Sequence, residues 1–429
     1  MLHDGKSIRV AIIGGIRTPF SRAHSAYRNC SNQDMMTATL AALVDKFNLR
    51  GEVLGDVALG AVIKHSKDWN LSRESVIGSG LSLKTPGVDM QRACGTSIEA
   101  VIHIANKIAL GQIQAGIAGG TDSISDAPIV VNDKLRSILL SAFRGRTVLD
   151  KITPWMRIRP SYIAPQLPSV VEPRTKLSMG ESMEITAKEF QISRENQDNF
   201  ALSSHTKAAA GYDSGFYEDL VVPYNGLEED NNIRRDTTFN RLQLLKPVFD
   251  AASGFGTLTA GNSTPLTDGA AALLLASEDW AIKSQLPVLA YLTFCKVAAV
   301  DFIHKDGLLM APAYAVSDML KEANLDLQEF NFYEIHEAFA AQTLATLGAW
   351  QSSRFCSERL GRNKAMGTID LAKLNTKGGS IAIGHPFAAT GARVMATMAK
   401  LLSLNGYGRG LISVCTAGGM GVTAILEAT

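Results

Sequence analysis

Paired cysteines are missing from this chain. Its five cysteines, Cys30, Cys94, Cys295, Cys356 and Cys415, are odd in number, lie far apart and form no C-x-x-C. That excludes a disulfide framework and the usual zinc-ligand spacings, and it implies a reducing compartment. Long uncharged apolar runs are missing too, and nothing approaches the length needed to span a bilayer. Met1-Leu2-His3-Asp4-Gly5-Lys6 lacks the charged-then-apolar order of a signal peptide, so a cytoplasmic location is expected. A surplus of charge is absent: 42 basic against 41 acidic residues leave a formal +1, which argues against nucleic-acid binding by bulk charge. Proline is scarce, 14 against 37 glycines in 429 residues that are 46% hydrophobic. Such a chain is globular, rich in tight turns, and long enough for two or three domains.

What is present centres on residues 90–99, Met90-Gln91-Arg92-Ala93-Cys94-Gly95-Thr96-Ser97-Ile98-Glu99. An apolar run ending at Met90 reads as a strand. Thr96-x-x-Glu99 has the form of a capping box that opens a helix. Ile98, Val101, Ile102, Ala105, Ile108 and Ala109 then recur at the spacing of one buried helical face. Cys94 is thereby placed at a strand-to-helix turn, where the helix dipole favours a thiolate. The arrangement resembles a nucleophile elbow with sulfur for oxygen, Gly95 leaving the thiol uncrowded. The competing reading of a lone cysteine is a small buried hydrophobe.

Around this stretch the sequence predicts strands at Ile8–Gly15, Asp56–Ile63, Gly87–Met90 and Gln114–Gly120, with helices at Ser31–Phe47 (Ser31 as N-cap, Asp34 three residues on) and Ser72–Ser79. Alternating elements of this kind imply a largely parallel sheet covered on both faces. Residues 133–176 break the pattern: nine basic residues (Lys134, Arg136, Arg144, Arg146, Lys151, Arg157, Arg159, Arg174, Lys176) against three acids, interleaved with Leu139, Leu140, Phe143, Trp155, Met156 and Ile158. This basic, amphipathic insertion suits an anionic cofactor tail, a membrane surface, a partner, or a solvated lid. Helices are expected at Glu181–Phe190 and Arg194–Gly211, and sheet character resumes over Gly256–Ala276. A second alternation follows: strand Pro287–Val297, helix Ala311–Ala323, strand Phe330–Ile335, helix Glu337–Leu347, helix Thr390–Leu402 and strands Gly410–Cys415 and Gly421–Leu426. The two halves repeat one order of elements with little identity between them.

Three further stretches put reactive groups at strand–loop junctions, where α/β folds gather their ligands. Tyr333-Glu334-Ile335-His336-Glu337-Ala338-Phe339-Ala340 places His336 and Glu337 where a strand passes toward a helix. Gly378-Gly379-Ser380-Ile381-Ala382-Ile383-Gly384-His385-Pro386 places His385 in a glycine-rich loop. Cys415-Thr416-Ala417-Gly418-Gly419 places a second cysteine where a strand breaks into glycines. Any one of these histidines alone would be an ordinary hydrogen-bonded structural residue. Two cysteines and two histidines together shift the balance, and their spacings match no common metal pattern.

Taken together, these stretches resemble the thiolase family, and within it the β subunits of bacterial fatty-acid oxidation complexes. The similarity runs from Gly15-Ile16-Arg17-Thr18-Pro19-Phe20 through Met179-Gly180 and Asn262-Ser263-Thr264-Pro265-Leu266-Thr267-Asp268-Gly269 to His336-Glu337-Ala338-Phe339, Gly384-His385-Pro386 and Cys415 with its glycines. The resemblance implies two similar βαβαβαββ halves in a five-layered αβαβα sandwich. Residues 1–122 plus 247–283 would form the N-terminal half, 284–429 the C-terminal half, and 123–246 a loop domain over the active site. It implies cleavage of a 3-ketoacyl-CoA by CoA to acetyl-CoA and a shortened acyl-CoA, through an acyl-cysteine, in β-oxidation.

By the same resemblance Cys94 is the nucleophile, His385 takes its proton, and Cys415 protonates or deprotonates the acetyl-CoA carbon. His336 and His385 form one oxyanion hole, and the backbone N–H groups of Cys94 and Ala417 the other. Ala417 stands where the family often has glycine, which is tolerable if φ there is not positive. Met179, Arg234 and Thr264 match CoA-binding positions. CoA is a substrate, and neither a metal nor another cofactor is implied. The expected assembly is a homodimer, or a heterotetramer with a hydratase/dehydrogenase α subunit. The alternatives are a short-chain acetoacetyl-CoA thiolase, a ketoacyl synthase (which lacks a counterpart of Cys415) and an inactive acyl-CoA-binding subunit.

Overall fold

The computed structural model describes residues 7–166 and 171–429. The expectation for Met1–Lys6, and the part of the basic insertion at 167–170, lie outside the described residues. The main strands are β1 (Val10–Arg17), β2 (Asp56–Leu59), β3 (Gly87–Asp89), β4 (Ala115–Asp122), β5 (Thr267–Ser277), β6 (Ala290–Ala299), β7 (Phe332–Ile335), β8 (Arg409–Thr416) and β9 (Met420–Glu427). The principal helices are α1 (Asn32–Lys46), α2 (Leu71–Ser79), α3 (Thr96–Ala109), α4 (Asp133–Arg144), α5 (Met179–Glu189), α6 (Arg194–Asp213), α7 (Ala311–Ala323), α8 (Ala340–Gln351) and α9 (Thr390–Asn405).

The strands lie in the order 3-2-4-5-1-6-9-8-7. Within the first half the order is third, second, fourth, fifth, first. The second half repeats it outward from β6: Leu374, bridged in parallel to Tyr333 of β7, stands where a third strand would lie. β1 and β6 join the halves through three antiparallel pairs, Val10–Leu292, Ala11–Tyr291 and Ile12–Ala290. The expectation of a largely parallel sheet is corrected here. Among the main strands of the described residues, only β2–β3, β2–β4 and β7–β8 pair in parallel. The last strand of each half returns antiparallel between two others, β5 between β4 and β1, and β9 between β8 and β6. The reversed strand of each half, together with the β1–β6 junction, makes most of the pairings antiparallel.

Period-two alternation along the strands separates three cores. On β5, Ala270, Ala272, Leu274 and Ala276 join an outer core with α1 and α2, while Ala271, Leu273 and Leu275 face a central core with α3 and α9. On β8, Ile412 and Val414 face that same central core, and Leu411 and Cys415 face a third core with α7 and α8. Helices, sheet, central helices, sheet and helices make the five layers. The strong apolar face read in Ile98–Ala109 is what lets α3 fill the middle: Ile98, Val101, Ile104, Ala105 and Ile108 are all fully buried.

Capping follows the sequence at several helices. Ser31 and Asp34 form a reciprocal capping box on α1, as Ser178 and Glu181 do on α5, and Ser193 caps α6. Each such cap is worth about 1 kcal/mol. The box expected at Thr96 does not form. Gly95 is the N-cap of α3, Thr96 Oγ1 donates to the Ala93 carbonyl and accepts from Arg92 N–H, and Glu99 pairs with Arg92 at 2.7 Å. Three other boundaries differ. Residues 256–266 form a loop rather than strand, and α8 starts at Ala340 rather than Glu337 because Phe339 is extended and bridges Ser263. β2 stops at Leu59, short of the expected Ile63, and the amides of Val62 and Ile63 turn to the Asp122 carboxylate.

Between β4 and β5 the chain makes its long excursion. Its return is tied to β1 by a buried bidentate pair, Arg17 to Asp230 at 2.6 and 2.7 Å, with Tyr212 also donating to Asp230. The 256–262 loop is tied to α5 and α6 from two sides. Glu184 accepts from the Thr257 and Leu258 amides, and the Asn262 amide donates to Asp198.

Candidate active site

The turn predicted at Cys94 is present. Gly95 N–H donates to the Arg92 carbonyl and Thr96 N–H to the Ala93 carbonyl, and Ala93 takes φ +42°, a left-handed value that costs energy in a non-glycine residue. Gly95 is required by packing more than by access. A Cβ there would lie 2.8 Å from Val422 and 2.9 Å from Thr416, so its absence lets the start of α3 press onto β8 and β9.

The loops converge on the Cys94 sulfur. A ring nitrogen of His336, a ring nitrogen of His385 and Cys94 Sγ all lie within 4.8 Å of one another. The two imidazoles lie 4.1 Å apart between centroids, their planes tilted by 45°. His336 follows β7, its amide continuing the parallel ladder onto the Ser413 carbonyl. His385 precedes α9, its amide held by Thr267 Oγ1. The N–H groups of Ala417 and of Cys94 itself point at the Cys94 sulfur. Ala417 is not among the residues with positive φ; those values fall on Gly418 (+78°) and Gly419 (+70°). The alanine therefore keeps the donor without strain.

Cys415, at the end of β8, is buried beside Cys94, with the Ala338 N–H directed at its sulfur. Thr264 is brought to the same place, its N–H and its hydroxyl both donating to the Ala338 carbonyl at 3.1 Å. Met179, at the start of α5, packs on the cluster that holds Ala338, Phe339 and Cys415. Arg234 is not drawn into this group. It is exposed, its amide donating to His205 Nδ1 and its carbonyl accepting from the Thr237 amide.

Burial governs the electrostatics. It pushes the Cys94 thiol up to about 12, outweighing the two amides; the nearby Asp122 carboxylate adds to the rise. The thiolate expected from the helix dipole is therefore not the resting form. Cys94 is only partly buried, and that access to water moderates the shift without reversing it. Burial and the Arg393 charge bring His385 down to about 3, and burial, His385 and Arg393 hold His336 well below its ordinary value. Burial lifts Cys415 well above the ordinary thiol range, with a further rise from any charge on Cys94. The resting site is thus two neutral thiols facing two neutral imidazoles. His336 Nε2 is buried with no hydrogen-bond partner, a polar atom left for something the site receives.

Several supporting groups escaped sequence reasoning. Glu337 lies inside a motif that drew attention, yet its buried carboxylate serves structure. It accepts from Ser204, Asn375 and the Ile381 amide, locking the His336 loop to the glycine-rich loop. Gly379 is needed there, since a Cβ would meet that carboxylate at 2.0 Å. Asp122 accepts from the Val62, Ile63 and Ala388 amides and so ties three loops around Cys94, while burial raises it to about 7. Ser380 and Thr390 each meet one of the two histidines, and Arg393 donates to Ser380. None has a local sequence signal, because most of these partners lie tens to hundreds of residues away.

The N-terminal domain model of the thiolases matches residues 10–279 and the C-terminal domain model residues 286–428. The chain is 40% identical over 425 residues to a 3-ketoacyl-CoA thiolase of Yersinia pestis (strain Pestoides F), covering 98% of this chain and 97% of that protein. Among solved structures it is similar to the Bacillus anthracis acetyl-CoA acetyltransferase (TM-score 0.82, 28% identity, 99% of this chain and 100% of that one). It is also similar to the human mitochondrial 3-ketoacyl-CoA thiolase in complex with CoA (TM-score 0.81, 27% identity, 98% of each). With matches along almost its whole length, the chain belongs to the thiolase family.

Proposed function

We propose that this protein is a 3-ketoacyl-CoA thiolase of fatty-acid β-oxidation, an acyltransferase that cleaves its substrate with CoA through an acyl group on Cys94. The observation that carries the reading is the convergence of Cys94, His336, His385 and Cys415 in one buried cluster with amide donors on the Cys94 sulfur. Attack of the sulfur on the 3-keto carbon moves the thiol proton to His385, since a thiol near 12 does not ionise alone. Charge developing on the two substrate oxygens needs two sets of donors. The amides of Cys94 and Ala417 supply one, and the partnerless Nε2 of His336, beside His385, supplies the other. The departing acetyl-CoA carbanion takes its proton from Cys415. CoA then takes the shortened acyl chain, its thiol proton passing to the Cys415 thiolate, while Cys94 leaves and recovers the proton held on His385.

The 40% identity to curated 3-ketoacyl-CoA thiolases supports this reading over a short-chain acetoacetyl-CoA thiolase, although the fold matches both kinds equally. Met179 and Thr264, beside the cluster, suit the pantetheine; Arg234, exposed, suits the nucleotide end. Residues 123–246 serve as the loop domain between the N-terminal half (1–122 and 247–283) and the C-terminal half (284–429). A second copy of this chain is the expected partner, and the open edge strand Gly87–Asp89 at the end of the sheet offers backbone groups for it. A hydratase/dehydrogenase α subunit is the further partner in the subgroup the chain resembles. A reducing cytoplasm suits a site that needs two free thiols, and all five cysteines are free. Thiolysis rates for 3-ketoacyl-CoAs of four to sixteen carbons are the test. Activity is expected to extend to the long chains; confinement to acetoacetyl-CoA would favour the short-chain reading.

The basic insertion faces an anionic membrane surface in this reading. α4 buries only Ile138 and Ala142, while Phe143 is 86%, Leu149 73% and Met156 82% exposed among the basic residues. The protein is expected to sediment with phosphatidylglycerol vesicles at low salt and to be released at about 0.5 M NaCl, where charges are screened beyond roughly 4 Å. Failure to bind at low salt would reject the membrane surface.

A further inference from the structure

The two histidines each hold a hydroxyl on Nδ1, yet the hydroxyls are wired differently. Ser380 Oγ lies 2.7 Å from His336 Nδ1 and 2.7 Å from Arg393 Nη2. A guanidinium has only donors, so Ser380 Oγ must accept from Arg393. That leaves the serine one proton and one place to put it, because among the described residues its only other hydrogen-bond contact is His336 Nδ1. If Nδ1 carried the ring proton, the serine proton would be buried without an acceptor, at a cost comparable to a lost hydrogen bond. If Nδ1 is bare, every group is satisfied.

At His385 the sense is opposite. Thr390 Oγ1 lies 2.6 Å from His385 Nδ1 and 3.3 Å from the Pro386 carbonyl, and a carbonyl only accepts. The threonine proton goes to Pro386, and the hydroxyl oxygen accepts from His385 Nδ1–H. The Nε2 of His385 is then a bare acceptor.

We propose that Arg393, acting through Ser380, fixes His336 as the Nε2–H tautomer, so that two adjacent histidines present opposite faces to the site, His336 a donor and His385 an acceptor. The site needs one of each: a nitrogen to take the Cys94 proton and an N–H to meet a developing oxyanion. Ser380 and Arg393 are positioning residues, since neither is the group that meets substrate. Glu334, 3.7 Å from Arg393 and equally buried, holds the guanidinium in place from the other side. The unpartnered Nε2 of His336 follows from the same wiring, as the donor left for an incoming oxygen. The chemical use of that donor rests on the thiolase reading above, whereas the tautomer does not.

The experiment is a long-range 1H–15N spectrum of the full-length protein labelled with 15N-histidine, at neutral pH and without substrate, with His336→Asn and His385→Asn serving only to assign signals. His336 is expected to show a protonated Nε2 and a bare Nδ1, and His385 the reverse. A protonated Nδ1 on His336 overturns the proposal without any need for a variant. Ser380→Ala is expected to mix the tautomers of His336 and to lower kcat about 10- to 100-fold, below the roughly 10²–10³ of a fully lost oxyanion donor. KM should stay within about twofold, because the lost interaction is made in the transition state. Ser380→Thr, which keeps the hydroxyl, should restore both the spectrum and kcat. A Ser380→Ala protein whose His336 keeps Nε2–H also overturns the proposal. The expected tautomers in a protein without thiolysis would uphold the wiring and reject the function.

Discussion

Cys94→Ala is expected to lower thiolysis of a long-chain 3-ketoacyl-CoA on the order of 10⁵-fold, with the fold intact. Replacing a nucleophile removes the covalent route altogether, and what remains is the residual effect of binding and oxyanion donors. The fold should survive because Cys94 is only partly buried and a serine- to alanine-sized side chain at this turn opens no large cavity. The turn itself is held by the Arg92, Ala93 and Thr96 backbone and hydroxyl contacts, none of which uses the sulfur. Two measurements check this. The rate of 3-ketoacyl-CoA loss should fall to background. Intact-protein mass spectra should show one acyl addition on the native chain after brief exposure to substrate and none on Cys94→Ala. If the variant retained more than about one hundredth of the native rate, or still gained the acyl group, Cys94 would not be the nucleophile.

Much of this site was legible because its reactive groups fall where periodic patterns end. Cys94, His336 and Cys415 each close or follow a strand, and His385 sits in a glycine-rich loop before a long helix. Those punctuation signals are local, and the structure places all four groups together. The five layers were legible for a similar reason, since alternation along β5 and β8 sorts their side chains between cores. What could not be read was set by distant partners. The Thr96-x-x-Glu99 pattern is a sound capping signal, but Arg92 draws Glu99 away and Thr96 serves the turn instead. The helix after His336 starts late because Phe339 pairs with Ser263, 76 residues earlier in the chain. A thiolate was expected at Cys94 because a helix dipole is visible in sequence, whereas the burial that overrides it is not. Parallel pairing was inferred from alternating strands and helices, and the single reversed strand of each half leaves no mark in that alternation.

The supporting carboxylates show the same division. Glu337 and Asp122 are buried close to the reactive groups, yet each spends its oxygens on protein donors. Their contribution is to bring loops from both halves to one point. The chemistry proposed here falls to groups that burial holds neutral in the resting site.

Cys415→Ala should separate the two chemical halves of the reaction. The Cys415 sulfur is buried next to Cys94, and charge on one disfavours charge on the other. Once Cys94 carries an acyl group it can no longer ionise, so that opposition disappears in the state where Cys415 must exchange a proton with carbon. The Ala338 amide aimed at the Cys415 sulfur favours the thiolate in that state. Without Cys415, transfer of an acyl group from acyl-CoA to Cys94 should proceed at close to the native rate, and the acyl mass should appear on the protein. Cleavage of a 3-ketoacyl-CoA should fall by about 10²- to 10⁴-fold, the usual worth of a positioned acid or base. Exchange of the acetyl-CoA methyl hydrogens with deuterium from solvent, catalysed by the native acyl-enzyme, should be lost with it. Native rates of cleavage and of exchange in Cys415→Ala would move the proton-transfer role to another group. Loss of acyl transfer together with cleavage would instead show that the second sulfur shapes the nucleophile's surroundings, and the partition between two cysteines argued here would be wrong.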